Sequence, residues 1–157
     1  MVEGDDERFH RHGSELAAAV EAALPAWVRA SVERTVPPGS LSADAAAKLD
    51  ADIDAAGRAA ATDIGGRLRD LLARDIGDQW TNPLSILRAA AVYPTRILAA
   101  RGIAPVERDR HARRIHPDDV YDLTPGSFAD FGPEVHELGI TWGAAKAHLH
   151  LQQRRQA

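Results

Sequence analysis

The chain has no cysteine. That absence excludes a disulfide framework, a thiolate metal site and a cysteine nucleophile. Aromatic residues are scarce at 5%, and much of the 45% hydrophobic fraction is alanine, which favours helix but buries little area per residue. No apolar run approaches the roughly 20 residues needed to span a bilayer. The opening Met-Val-Glu-Gly-Asp-Asp is acidic and carries no apolar segment of the secretory kind, so the expected location is cytoplasmic. Lysine is nearly absent, Lys48 and Lys146 being the only two. With abundant alanine and aspartate, this arginine bias reads as GC-rich coding. The net charge of −4 argues against wholesale coating of nucleic acid.

Recognisable chemical motifs are missing as well. No G-x-S-x-G elbow frames Ser85 or Ser127, and neither a P-loop nor a dinucleotide fingerprint occurs. His148 and His150 are two apart in a helical stretch, so their rings diverge too far to share an ion. His10 and His12 have the same spacing near the start of the chain. His116 with Asp118 and Asp119, and His136 with Glu137, offer at most a divalent-cation site in the loop over 116–137. No catalytic, cofactor or metal residue is assigned on this basis, and no cofactor is expected.

What is present is helical periodicity. The 157 residues fit a single domain. Residues 1–13 hold charged and histidine side chains around one phenylalanine and predict a disordered tail. A helix is expected from Ser14, with Leu16, Val20 and Leu24 on one face and Pro25 as a break or kink. Val36-Pro37-Pro38-Gly39 ends it. Ser40 or Ser42 then caps a helix over 43–76 bearing Leu49, Ile53, Gly57, Ala60, Ile64, Leu68 and Leu71, with Gly65-Gly66 as its weak point. Ala56, Gly57, Ala60 and Ala61 would admit a second helix closely. Residues 14–76 therefore predict a helical hairpin, with a homo-oligomer through the 43–76 helix as the other arrangement.

Residues 77–157 change character, with six of the eight aromatics and six of the nine prolines. Asn82-Pro83 predicts a cap and first turn, followed by a helix kinked at Pro94 and stopped at Gly102. A short helix is expected from Pro105 to Ile115. Tyr121, Leu123, Phe128 and Phe131 should anchor an irregular stretch, and a last helix should run from Thr141 to Gln153 around Trp142. No strand pattern or internal repeat is found. The fold class expected is all-α, a long-helix hairpin with a compact helical C-terminal half.

The motif order in this half resembles a family of small actinobacterial proteins without an assigned activity. It rests on Asp78-Gln79-Trp80-Thr81-Asn82-Pro83-Leu84, Tyr93-Pro94-Thr95, Pro117-Asp118-Asp119-Val120-Tyr121-Asp122-Leu123-Thr124-Pro125 and Trp142-Gly143-Ala144-Ala145-Lys146-Ala147. The resemblance covers residues 78–150 and implies no functional residue.

One charge pattern carries a functional expectation. Arg88, Arg96, Arg101, Arg108, Arg110, Arg113 and Arg114 lie within one stretch, against only Glu107 and Asp109. Arg110, Arg113 and Arg114 would share a helix face able to meet phosphates or an acidic partner. The bland reading is internal neutralisation by the acidic residues that follow. The candidate partner-binding residues are Arg96, Arg101, Arg110, Arg113 and Arg114. The expected role is a non-enzymatic adaptor or regulator acting through protein–protein contacts. An RNA- or DNA-associated protein using the arginines of 88–114, and a small-molecule or metal enzyme with its site in 116–137, are the alternatives.

Overall fold

Helix α1, Asp5–Thr35, and helix α2, Ala43–Leu72, form an antiparallel hairpin along their length. The computed structural model describes residues 2–37, 39–103 and 123–156; the expected 105–115 helix, Tyr121 and the residues 116–122 lie outside them. Among the described residues every regular element is helical.

The N-terminal residues are not a tail. Asp5, Asp6 and Glu7 occupy the first turn of α1, where carboxylates favour the positive end of the helix dipole. Phe9 is fully buried and stacks on Trp142 with ring centroids 6.2 Å apart. The apolar period of α1 begins at Phe9, two turns before Leu16, and one aromatic anchor suffices to order the polar turns around it. Pro25 does not end the helix. Its ring lies against Gly57 of α2, where an added Cβ would stand 3.0 Å from the Pro25 Cα.

Ser42 is the cap of α2, its hydroxyl accepting from the Ala45 amide at 3.2 Å. The helix runs unbroken through Gly65-Gly66 but stops at Leu72, before Ile76. Asp75 is extended, and Ile76 turns into the core at the start of a 3₁₀ turn, Ile76–Asp78. The stripe of Gly57, Ala60, Ile64 and Gly65 is buried, with Gly57 and Gly65 directly against α1. The small residues that could have held a second copy are thus taken by the hairpin itself.

The helix expected from Pro83 to Gly102 is instead three pieces: α3 (Pro83–Arg88), a 3₁₀ turn (Ala89–Ala91) and α4 (Val92–Ala99). Pro94 has no N–H for the Ala90 carbonyl, so the preceding turn tightens. Asn82 caps α3 as expected, accepting from the Leu84 amide at 2.9 Å. These pieces pack on α1 and α2.

The last helix, α5, is Pro133–Gln156 and begins eight residues before the expected Thr141. Gly132, at φ +114, supplies a backbone turn closed to other residues, and Pro133 opens the helix. Before it, Ser127 and Asp130 form a capping box on the 3₁₀ turn Phe128–Phe131. Phe131 packs against Trp27 at 5.7 Å. Phe128 lies on Gly139, where a Cβ would meet its ring at 2.8 Å, which accounts for a glycine inside α5. Val135, Trp142 and Leu149 are the buried residues of α5 and recur every seventh position, a narrow seam against α1. No described helix is long and apolar enough to cross a membrane.

Candidate functional site

The arginines divide into two kinds. Arg101 is a tie within the fold: its guanidinium donates to Asp52 of α2 at 2.8 Å and to the Ile97 carbonyl at 3.2 Å. Arg96 stays exposed. Arg110, Arg113 and Arg114 lie outside the described residues. Among the described residues the counter-charge of Arg101 comes from Asp52 of α2. Asp130 in the acidic stretch after residue 116 is occupied otherwise, accepting from the Gly126 and Ser127 amides at 2.6 and 2.9 Å.

The carboxylates of α2 prove to be clamps. Arg29 of α1 reaches Asp50 at 2.6 Å and Asp54 at 2.7 Å, one helical turn apart. Asp52, on another face, holds α4 through Arg101. Glu21 pairs with Arg69 across the hairpin. Tyr93, the one aromatic near the arginines, donates its hydroxyl to Asp63 at 2.5 Å, and Arg67 binds the same carboxylate at 2.8 and 2.9 Å. Burial first, and then the bond to Asp63, raises the Tyr93 hydroxyl pKa. The Tyr93 bond first, and then Arg67, holds the Asp63 carboxyl below its ordinary range. Tyr93 is half-buried against the core, and its hydroxyl is engaged inside the fold.

A shallow groove of about 270 Å³ runs between the start of α1 and the middle of α5, lined by Asp5, Arg8, His12 and His148 among others. His148 Nε2 stands 3.6 Å from Asp5, while His12 Nδ1 is buried without a hydrogen-bond partner. Among the described residues no three histidine or carboxylate groups converge to hold a metal.

The feature that composition could not locate is Trp80. Two of the three tryptophans, Trp27 and Trp142, are buried, but Trp80 is 87% exposed. Both sides of its turn are fixed. Ile76 is sunk in the core before it, and Gln79 Nε2 donates to the Arg74 carbonyl at 3.0 Å. After it, Asn82 caps α3 and Pro83 is buried. The indole is thus held in solvent by a turn whose flanks are anchored, with the exposed Arg74, Asp75 and Asp78 close to it in sequence. The available signal in the sequence is that Asp78, Gln79, Thr81 and Asn82 around Trp80 are all polar and no helical apolar period includes it. Comparison with family models, with curated proteins and with solved structures gives no match.

Proposed function

We propose that this protein is a non-enzymatic helical adaptor that works through protein–protein contacts, with Trp80 as the anchor of the contact surface. The observation that carries this reading is the 87% exposure of an indole on a turn fixed on both sides. Leaving so large an apolar side chain in water forgoes a burial contribution of roughly 2–3 kcal/mol. A tryptophan in a partner's pocket, rimmed by charge, is a common centre of binding energy. The flanking turn lowers the ordering cost of binding, since little conformational freedom is left to lose. Arg96 stands as an exposed cation available to the rim of such a contact or to a phosphate. The resemblance of residues 78–150 to small actinobacterial proteins brings no activity to this reading.

The test is affinity capture from the native host with wild type, Trp80→Ala and Arg96→Gln at two salt concentrations, with protein and nucleic acid both quantified. The expected result is a protein partner that survives the salt increase, is lost with Trp80→Ala and is retained with Arg96→Gln. Steeply salt-dependent recovery of nucleic acid that depends on Arg96 would favour the RNA- or DNA-associated reading instead. A Trp80→Ala protein that keeps every partner of the wild type would sink the anchor role.

A further inference from the structure

Helix α5 carries two apolar faces, and the fold uses one. Val135, Trp142 and Leu149 face α1. Ile140, Ala144, Ala147 and Leu151 recur at steps of four, three and four, and at 100° per residue they fall within about 60° of one another on the opposite side. All four are exposed, Ile140 at 59% and Leu151 at 54%. The contacts of α5 are chiefly with α1 and the 3₁₀ turn Phe128–Phe131, and of the four only Ala144 borders the groove whose other wall is the start of α1.

The arrangement of this face identifies its occupant. Ile140 and Leu151 lie equally far from the midpoint between Ala145 and Lys146, and so do Ala144 and Ala147. A second α5 laid antiparallel about that midpoint sets Ile140 of one copy against Leu151 of the other. The two alanines fall at the crossing, where small side chains let the backbones come close. The charges come close to the same symmetry, their midpoint at Lys146 lying half a residue from that of the apolar pairs. Glu137 and Arg155 are eighteen residues apart, five whole helical turns, and so lie on one flank of the stripe. Across an antiparallel pair, like flanks face each other, which brings Glu137 of each copy to Arg155 of the other. Neither side chain has an ion pair among the described residues. Apolar positions thus match under one two-fold rotation, and the charged positions match to within one residue, a length that the Glu and Arg side chains span, which meets the condition for a self-complementary contact.

We propose that the outer face of α5 is a homodimer interface, the two helices antiparallel and crossing at Ala144 and Ala147. A single helix pair covers less than the roughly 800 Å² per partner of a standard stable interface, so association follows protein concentration. This inference does not depend on the role of Trp80.

Sedimentation equilibrium of the full chain over a concentration series should show a monomer–dimer equilibrium. Ile140→Glu with Leu151→Glu should abolish the dimer and leave the helical circular dichroism unchanged. Glu137→Arg alone and Arg155→Glu alone should each weaken association about three- to tenfold, because each lost pair occurs twice. The double variant, with the charges exchanged, should restore it. Orientation can be read from cross-linking, since the chain has no cysteine of its own. A mixture of Ile140→Cys and Leu151→Cys proteins should form mixed disulfides in preference to disulfides between like copies. A protein monomeric at every concentration would overturn the proposal, as would a dimer indifferent to the double glutamate variant. Preference for disulfides between like copies would overturn the antiparallel arrangement.

Discussion

Gly65 and Gly66 are neighbours in α2 that the hairpin treats oppositely. A Cβ on Gly66 would meet nothing within 4 Å, whereas one on Gly65 would stand 3.0 Å from both Cβ and Cγ of Glu21. Gly66→Ala should therefore stabilise by up to about 1 kcal/mol, from reduced freedom of the unfolded chain and better helix propensity. Gly65→Ala gains the same propensity but must push α1 away, and a net loss is expected. Urea denaturation of the two variants decides the matter; equal gains would show that the helices are not in close contact there. Trp142 belongs to the same scale. It is 6% exposed, stacks on Phe9 and carries Lys146 Nζ 5.1 Å above its ring. Its indole N–H has no protein partner, so packing holds it. Trp142→Ala should cost about 3–5 kcal/mol, and an unchanged melting temperature would contradict its burial.

Tyr93 and Asp63 give a pH dependence that can be checked residue by residue. The lowered Asp63 pKa means that this carboxylate contributes stability above its unfolded value, and that the contribution fades as pH falls below about 4. The raised Tyr93 pKa means a contribution present below its unfolded value and fading as pH climbs past about 10. Tyr93→Phe should cost about 1 kcal/mol near neutrality, since the carboxylate is partly hydrated. The difference between wild type and variant should shrink at both ends of the pH range. A difference independent of pH would mean that the hydroxyl does not bind Asp63.

At the scale of elements, α1 is the organising helix: α2, α4, α5 and the Phe128–Phe131 turn all pack on it. Its first two turns owe their order to Phe9, which is fully buried against Trp142. Phe9→Ala should cost about 3–5 kcal/mol, and hydrogen exchange should show residues 5–12 opening before the rest of α1. Protection in that segment that survives the substitution would show that the exposed Glu3–Arg11–Glu15 ion pairs hold it instead. The α1–α2 clamp is a weaker device. Arg29→Ala removes contacts to Asp50 and Asp54 on a surface about one-third exposed, and a loss of about 1 kcal/mol or less is expected.

For the whole molecule, the distribution of apolar surface decides what is left for partners. The hairpin consumes the Gly57–Ala60–Gly65 stripe that offered itself to a second copy in the sequence. Among the described residues the Trp80 turn and the outer face of α5 carry the most exposed large apolar side chains outside the first residues, and they lie on different elements. Arg101 moves from the set of binding candidates to the set of internal ties, because Asp52 lies within reach of it.

Periodicity and cap chemistry along the chain were enough to predict the all-α class, the hairpin, a cap of α2 at Ser40 or Ser42, the Asn82 cap and the inward position of Trp142. These are local matters: a 3.6-residue period, a hydroxyl or amide before a first turn, a glycine after a last one. The start of α1 at Asp5 and of α5 at Pro133 depended on long-range contacts, Phe9 on Trp142 and Phe128 on Gly139, which no local pattern reports. The same holds for the surface. The polar neighbours of Trp80 do not report how its turn is fixed, and Asp50, Asp52 and Asp54 read in sequence as solvated charges of one helix. Only the assembled fold buried Trp27 against Phe131, left Trp80 in solvent and gave Asp50, Asp52 and Asp54 their arginines, because exposure and charge pairing are properties of the assembled neighbours and not of the residue that carries them.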